Sequence, residues 1–279
     1  MTSKNGNLRD MVRTCSFNHS SFTNTIVPST IHIPCSSYIQ PCDVYTWAAT
    51  ADDYAKYTLR LPIQNYKHFI YVLPKGDFCG FGGLGTVGPC GNGACRVWIS
   101  GMIPHELPAY LHELGHNLGL GHAEYMGDQY GDLTDTMGYC CNMRCFSAPN
   151  THTLGWSKSV KKITLPIYDT KEFKLKASEY VIILDPVRME RIFVQYRTSN
   201  LNKYERSLPR SAINIYMLPY ARTQGGSTKR YASLIQKASN WYGNRFHVTV
   251  KDMTSTNAVI SIAPASFDAT IELDSRIPL

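Results

Sequence analysis

Residues Leu111–His122 read LHELGHNLGLGH. Within them His112, Glu113 and His116 form H-E-x-x-H, and Gly119 and His122 extend the pattern to H-E-x-x-H-x-x-G-x-x-H. Residues four apart on a helix share one face, so His112 and His116 can offer imidazole nitrogens to a single ion. Glu113 stands one step round from His112, where it can touch a metal-bound water and leave the metal alone. Gly119 can take a positive φ and end the helix, after which the chain doubles back to deliver His122 as third ligand. Three protein ligands with a fourth position left to water describe a catalytic zinc site, because structural sites are closed by four. The short form of the motif recurs by chance in unrelated chains. The long form fixes five residues, and Asp135-Thr136-Met137-Gly138-Tyr139 follows at the distance expected of a turn whose Met137 packs beneath the metal.

At 279 residues, 43% hydrophobic and 18% charged, the chain is globular and long enough for one large domain or two ordinary ones. The net charge of +7 is unevenly placed: residues 1–150 carry 9 Lys+Arg against 11 Asp+Glu, and residues 151–279 carry 19 against 10. A basic second half suits either an acidic partner such as an anionic glycan or a merely solvated surface. All nine cysteines fall at or before residue 145, with no paired C-x-x-C, which favours disulfides formed in an oxidising compartment. An odd count leaves one thiol without a partner in this chain. Asn18-His19-Ser20 is a glycosylation sequon compatible with secretion. Met1 is followed by polar residues with no apolar signal core, and no stretch approaches the length of a membrane span. The expectation is a secreted, extracellular protein met here without its leader.

In chain order, Leu8–Phe17 spaces Leu8, Met11, Val12 and Cys15 as one helical face, and Ile26–Pro34 alternates as a strand. Cys42–Tyr57 is helical by spacing, its aromatic residues read as core. Tyr66–Leu73 reads as a buried strand, with His68 a core or edge histidine and not a ligand. Gly82, Gly83, Leu84 and Gly85 lie in a glycine-rich run, and Gly82–Val87 is the candidate sheet edge against which a substrate strand would pair. An ordinary disulfide-tied loop is the competing reading. Arg96–Ile99 is a short strand, and Pro108 suits a helix start, so the active helix runs from about Pro108 to Leu118. His105 lacks a partner four residues on. Asp128, Asp132 and Asp135 do not match a calcium loop and read as a solvated loop leading into the Met137 turn. Cys140, Cys141 and Cys145 suit disulfide clamping of that turn better than metal ligation. Beyond a junction at Trp156–Lys162, short alternating runs at 163–165, 172–175, 180–184, 192–196, 212–217, 246–250 and 258–262 suggest a β-sandwich, with Tyr231, Trp241 and Tyr242 read as core or sheet surface in preference to a sugar-facing cluster.

The long motif with Asn117-Leu118-Gly119-Leu120 resembles the gametolysins, green-algal cell-wall metalloproteases of the metzincin clan, more than it resembles matrix metalloproteases or astacins. The likeness continues in Met11–Ser16, Cys42-Asp43 with Trp47-Ala48, Leu73–Gly85, Asp135–Cys145, and Ala148-Pro149 with Leu154-Gly155-Trp156. It covers most of residues 8–158 and is faint beyond residue 160. It implies an α+β, metzincin-like zinc protease domain with a long active-site helix over 1–158, and the alternating runs, not the likeness, suggest the β-sandwich-like C-terminal module over 159–279. It also implies endopeptidase activity on extracellular matrix or cell-wall glycoproteins. An apolar strand should precede Leu8, and Met1–Asn7 cannot form one, which points to a sequence truncated upstream and offers a place for the odd cysteine's partner.

The chemistry expected is that of Zn2+ held by His112, His116 and His122, lowering the pKa of a bound water towards ~7. Glu113 is the general base that takes the water's proton and passes it to the leaving amine. Met137 is the floor residue by resemblance. Tyr139 matches the M-x-Y placement that, by resemblance to astacins and serralysins, sets a phenol beside the metal; a tyrosine packed under the turn is the alternative. Expected partners are protein substrates, with no nucleic acid and no membrane span. The competing class is a non-catalytic or truncated zinc-binding homologue that binds cell-wall glycoproteins; the intact Glu113 argues against it and the missing first strand argues for it.

Overall fold

The computed structural model describes residues 6–27, 30–33, 42–76, 79–88, 90, 93–221 and 225–265. Among these residues the fold is mixed α and β, with few helices and three sheets. Helix α1 (Leu8–Cys15) opens on Asn7, whose side chain accepts from the Asp10 amide at 2.9 Å, and buries Met11, Val12 and Cys15 along one stripe. Helix α2 (Val44–Asp53) is capped in the same way by Asp43 and continues as a π turn over Tyr54–Thr58.

The first sheet is built from β1 (His68–Val72), β2 (Gly83–Gly85) and β3 (Cys95–Ile99), in the order β1-β3-β2. Strand β3 is central: it runs parallel to β1 and antiparallel to β2. Its residues are covered on both faces. Val97 and Ile99 pack on Ala109, Tyr110 and Leu114, while Trp98 packs on Val44 and Ala48 and donates its indole N–H to the Val44 carbonyl at 3.1 Å. Those contacts place α2 on one face and α3 (Leu107–Asn117) on the other. The opposite side of α3 presents Leu107 and Leu111 to Met11, Val12, Met137 and Phe146. Every residue of α3 is consequently buried, which is why an apolar stripe alone does not describe it.

Strand β4 (Ala123–Tyr125) follows the helix, and α4 (Ala148–Thr153) follows the Met137 turn. The remaining strands are β5 (Lys161–Thr164), β6 (Lys171–Lys176), β7 (Tyr180–Asp185), β8 (Glu190–Arg197), β9 (Ala212–Pro219), β10 (Thr228–Leu234), β11 (Asn240–Tyr242), β12 (Phe246–Met253) and β13 (Asn257–Pro264). They form a six-stranded sheet, β4-β10-β9-β8-β7-β5, and a four-stranded sheet, β11-β12-β13-β6. One apolar cluster takes Val181, Ile192, Ile213 and Leu234 from the first and Leu175, Val248 and Ile260 from the second, so the two sheets share a core. The first half of the chain is tied into this assembly, since β4 pairs with β10 and α4 packs on β8 and β9.

Four readings of the sequence need correction. Strand β1 is an outer strand and not a buried one: its residues alternate between exposed and half-buried because α3 packs chiefly on β3 and β2. Of Ile26–Pro34, residues 26–27 and 30–33 form no strand, and Pro28, Ser29 and Pro34 lie outside the described residues. The loop through Asp132 and Asp135 is not solvated, both carboxylates being 0% exposed. Three strands, β4, β10 and β11, lack a run clean enough to read. Among the described residues the cysteines pair as Cys15–Cys145, Cys42–Cys79, Cys90–Cys95 and Cys140–Cys141; Cys35, the odd one, lies outside them. No described helix is long and apolar enough to cross a membrane.

Cys15–Cys145 fastens α1 to the exit of the Met137 turn across a sequence separation of 130 residues. A bridge closing so long a loop removes much unfolded-state entropy, so the Cys15→Ala, Cys145→Ala double variant is expected to lose about 2–5 kcal/mol of stability. Urea denaturation under oxidising conditions checks this, and an unchanged midpoint would refute it.

Candidate metal centre

Helix α3 presents His112 and His116 on one face, with ring centroids 5.0 Å apart. After Asn117 the chain turns at Gly119, whose φ of 86° is a conformation that side chains resist. His122 then returns to within 5.5 Å of the His112 ring and 4.9 Å of the His116 ring. One ligand atom from each histidine lies within 4.8 Å of the others. His68 and His105 take no part in this cluster; His68 Nδ1 instead lies 3.1 Å from Asn117 Oδ1.

The tautomers of two ligands follow from their partners. His112 Nδ1 lies 2.8 Å from the Thr136 carbonyl and His116 Nδ1 lies 2.9 Å from the Leu120 carbonyl. A carbonyl only accepts, so both Nδ1 atoms carry the hydrogen and both Nε2 lone pairs are left for an ion. Burial reinforces this neutral state in the metal-free protein. Desolvation, aided by its histidine neighbours, brings His112 down to about 3, and burial also lowers His116 and His122. The donor set is therefore three neutral nitrogens converging from a buried wall, which fits a divalent metal ion.

Glu113 is buried, and desolvation pushes its carboxyl up to about 8. A dication beside it favours the carboxylate again. Strand β2 crosses directly above. A β-carbon on Gly83 would collide with the Glu113 carboxylate, and one on Gly85 would stand 2.7 Å from the Glu113 main-chain oxygen and 3.0 Å from its Oε2. Glycine is what permits this approach. Leu84, between them, is exposed. The strand is stitched to the helix below: Gly88 N–H donates to the His116 carbonyl at 2.7 Å, and Asn117 Nδ2 donates to the Thr86 and Arg96 carbonyls at 2.8 and 3.0 Å. Gly82 precedes the strand, and the sheet order leaves β2 on an outer edge.

Met137 is fully buried below α3, where Gly115 has no side chain to keep its sulfur away. Asp135 fixes the turn. Its Oδ1 accepts from Met137 N at 2.7 Å, and its Oδ2 accepts from Ser147 N at 2.8 Å and Asn150 Nδ2 at 2.9 Å. Thr136, the residue between, carries the carbonyl that orients His112. Tyr139 is 67% exposed, and the ring that lies against the histidines belongs to Tyr130, 4.1 Å from His122 and 6.1 Å from His112 between centroids. The two tyrosines are linked, since Tyr139 N–H donates to the Tyr130 carbonyl at 2.7 Å. Sequence reasoning missed Tyr130 and the anchoring role of Asp135, because neither has a fixed place in the motif.

The close approach of β2 separates two substitutions. Gly85→Ala meets main chain that cannot yield and is expected to cost about 1–3 kcal/mol. Gly83→Ala meets only the end of the Glu113 side chain and should keep near-native stability while displacing that carboxylate. Chemical denaturation of both variants checks the difference, and a Gly85→Ala protein as stable as the parent would contradict it.

Residues 1–182 match the family described as gametolysin peptidase M11. Over 98 residues, 33% of this chain, the sequence is 34% identical to the autolysin of Chlamydomonas reinhardtii. That stretch spans 15% of the length of the autolysin. No solved structure matches the chain.

Proposed function

The chain belongs to the gametolysin family of peptidases, M11, and from that premise we propose that it is a secreted zinc endopeptidase cleaving extracellular matrix or cell-wall glycoproteins. The observation that carries this reading is the convergence of His112, His116 and His122, two of them with Nδ1 already spent on carbonyls, beside the buried carboxyl of Glu113. Neutral nitrogen donors in a three-ligand set suit zinc better than a hard cation. We read residues 1–158 as a metzincin-like catalytic domain and 159–279 as a β-sandwich module. The four disulfides accord with an oxidising compartment outside the cell.

When bound, zinc supplies Lewis acidity, making a water nucleophilic near neutral pH and taking up charge on the scissile carbonyl. The protein supplies the rest. An extended substrate pairs antiparallel with β2, whose missing side chains at Gly83 and Gly85 let its backbone run over Glu113. Glu113 accepts the proton of the attacking water and returns it to the leaving amide nitrogen, the usual double duty of a buried carboxylate in peptide hydrolysis. To Tyr139, two residues after Met137 and exposed, we assign the phenol that donates to the developing oxyanion. Met137 and Asp135 hold the floor and, through Thr136, the orientation of His112.

Glu113→Gln is expected to keep its zinc and lose about 10³-fold or more in turnover of a casein substrate. A chelator should abolish hydrolysis by the parent and added zinc restore it. Wild-type turnover in the glutamine variant would remove Glu113 from the chemistry, and chelator-resistant hydrolysis would remove the metal. Tyr139→Phe should retain zinc and lower kcat on the order of 10²-fold. An unchanged kcat removes Tyr139 from the chemistry.

A further inference from the structure

His112 and His116 are fixed by a helix, whereas His122 sits on a short loop with glycines at 119 and 121. A loop ligand is only as well placed as whatever holds the loop. Here that support comes from the far end of the chain. Gly225 N–H donates to the Gly119 carbonyl at 3.2 Å, and Thr228 N–H donates to the carbonyl of His122 itself at 3.1 Å. Strand β4, which continues from His122, then runs parallel to β10, with Thr228 opposite Ala123 and Arg230 opposite Tyr125. A β-carbon at Gly121 would strike the Gly225 carbonyl, so the two segments are in direct contact.

Arg230 grips this segment at two points. Its guanidinium lies over the Tyr125 ring, 4.0 Å from the centroid. Its Nε forms an ion pair with Asp132 Oδ1 at 3.2 Å, with side-chain exposures of 10% and 0%. Asp132 is itself anchored, accepting from Thr134 N at 2.9 Å and Thr134 Oγ1 at 2.7 Å, while its own N–H donates to the Ala123 carbonyl at 3.1 Å.

We propose that Thr228–Arg230 braces the third metal ligand, with Arg230 as the positioning residue, so that the C-terminal sheet is a working part of the metal centre. The proposal rests on reading the three histidines as a metal site. Arg230 touches neither substrate nor metal; it acts by holding Tyr125 and Asp132, and through them the backbone that carries His122. Outer partners of this kind commonly set metal affinity by about 10–100-fold.

The test is the zinc affinity of the full-length protein, measured by competition with a chromophoric chelator, alongside the denaturation midpoint of the metal-free form. Arg230→Met should weaken zinc binding by about 10–100-fold, and Arg230→Lys should recover part of that loss. Tyr125→Leu should weaken it in the same direction without stranding a buried charge. Lys171→Ala, on β6, controls for loss of a positive charge and should bind as the parent does. A purely structural role would lower the metal-free midpoint and leave the affinity of the folded protein unchanged, which overturns the proposal. Should Arg230→Met fail to fold, parental affinity in both Tyr125→Leu and Arg230→Lys overturns it as well. A parent that binds no zinc, or a His116→Ala variant that binds it equally well, sinks the metal-site reading and the brace together. Parental affinity in the Arg230 variants beside a tight-binding parent sinks the brace alone.

Discussion

The centre depends on two hydrogen bonds that never touch an ion. The carbonyls of Thr136 and Leu120 accept from the Nδ1 atoms of His112 and His116, and each does so from a loop and not from the helix that bears the histidine. Without those acceptors the rings would be buried with an unsatisfied N–H and would turn to find one. With them, each ring has one tautomer and one direction. The surrounding chain is arranged to keep the two carbonyls in place: Gly119 turns the backbone so that Leu120 faces back, and Asp135 locks the turn that contains Thr136.

Beneath that turn lies a group of charges that would be costly anywhere else. Arg197 and Glu205 pair at 2.6 Å with almost no exposure, and the Arg197 guanidinium also bonds the carbonyls of Thr134 and Cys145. Arg144 Nε donates to the Asp135 carbonyl at 2.7 Å and its Nη2 to the carbonyl of Tyr139. Both arginines thus direct donors to loop carbonyls that neither helix nor sheet could satisfy, while Arg144 Nη1 and Arg197 Nε stay buried without a hydrogen-bond partner among the described residues. Buried ion pairs add little net stability over an apolar filling, but they specify one arrangement because alternatives leave a charge bare. Here the arrangement they specify is the path of residues 134–145.

How much of this was legible in sequence follows from which interactions are local. The H-E-x-x-H-x-x-G-x-x-H run encodes its own geometry, because helical spacing and a glycine stop act within twelve residues. The glycines of β2 were legible as a place of close approach, and the apolar runs after residue 160 were legible as strands. The depth of β1 was not, since five apolar-rich residues read alike at a sheet centre or at its edge. Asp132 and Asp135 looked like loop carboxylates because the arginine and amide groups that bury them arrive from residues 147, 150 and 230. Tyr130 was invisible for a related reason: only the fold of the turn brings its ring onto His122.

The position of β4 in its sheet has a consequence for synthesis. Its partner in the six-stranded sheet is β10, and among the described residues no earlier strand pairs with it. A chain emerging from the ribosome therefore carries all three histidines long before the backbone that seats the last of them exists. Such a distant pairing is slow to form and late by construction. A growing polypeptide of this kind carries its third histidine on an unpaired loop until β10 has been made.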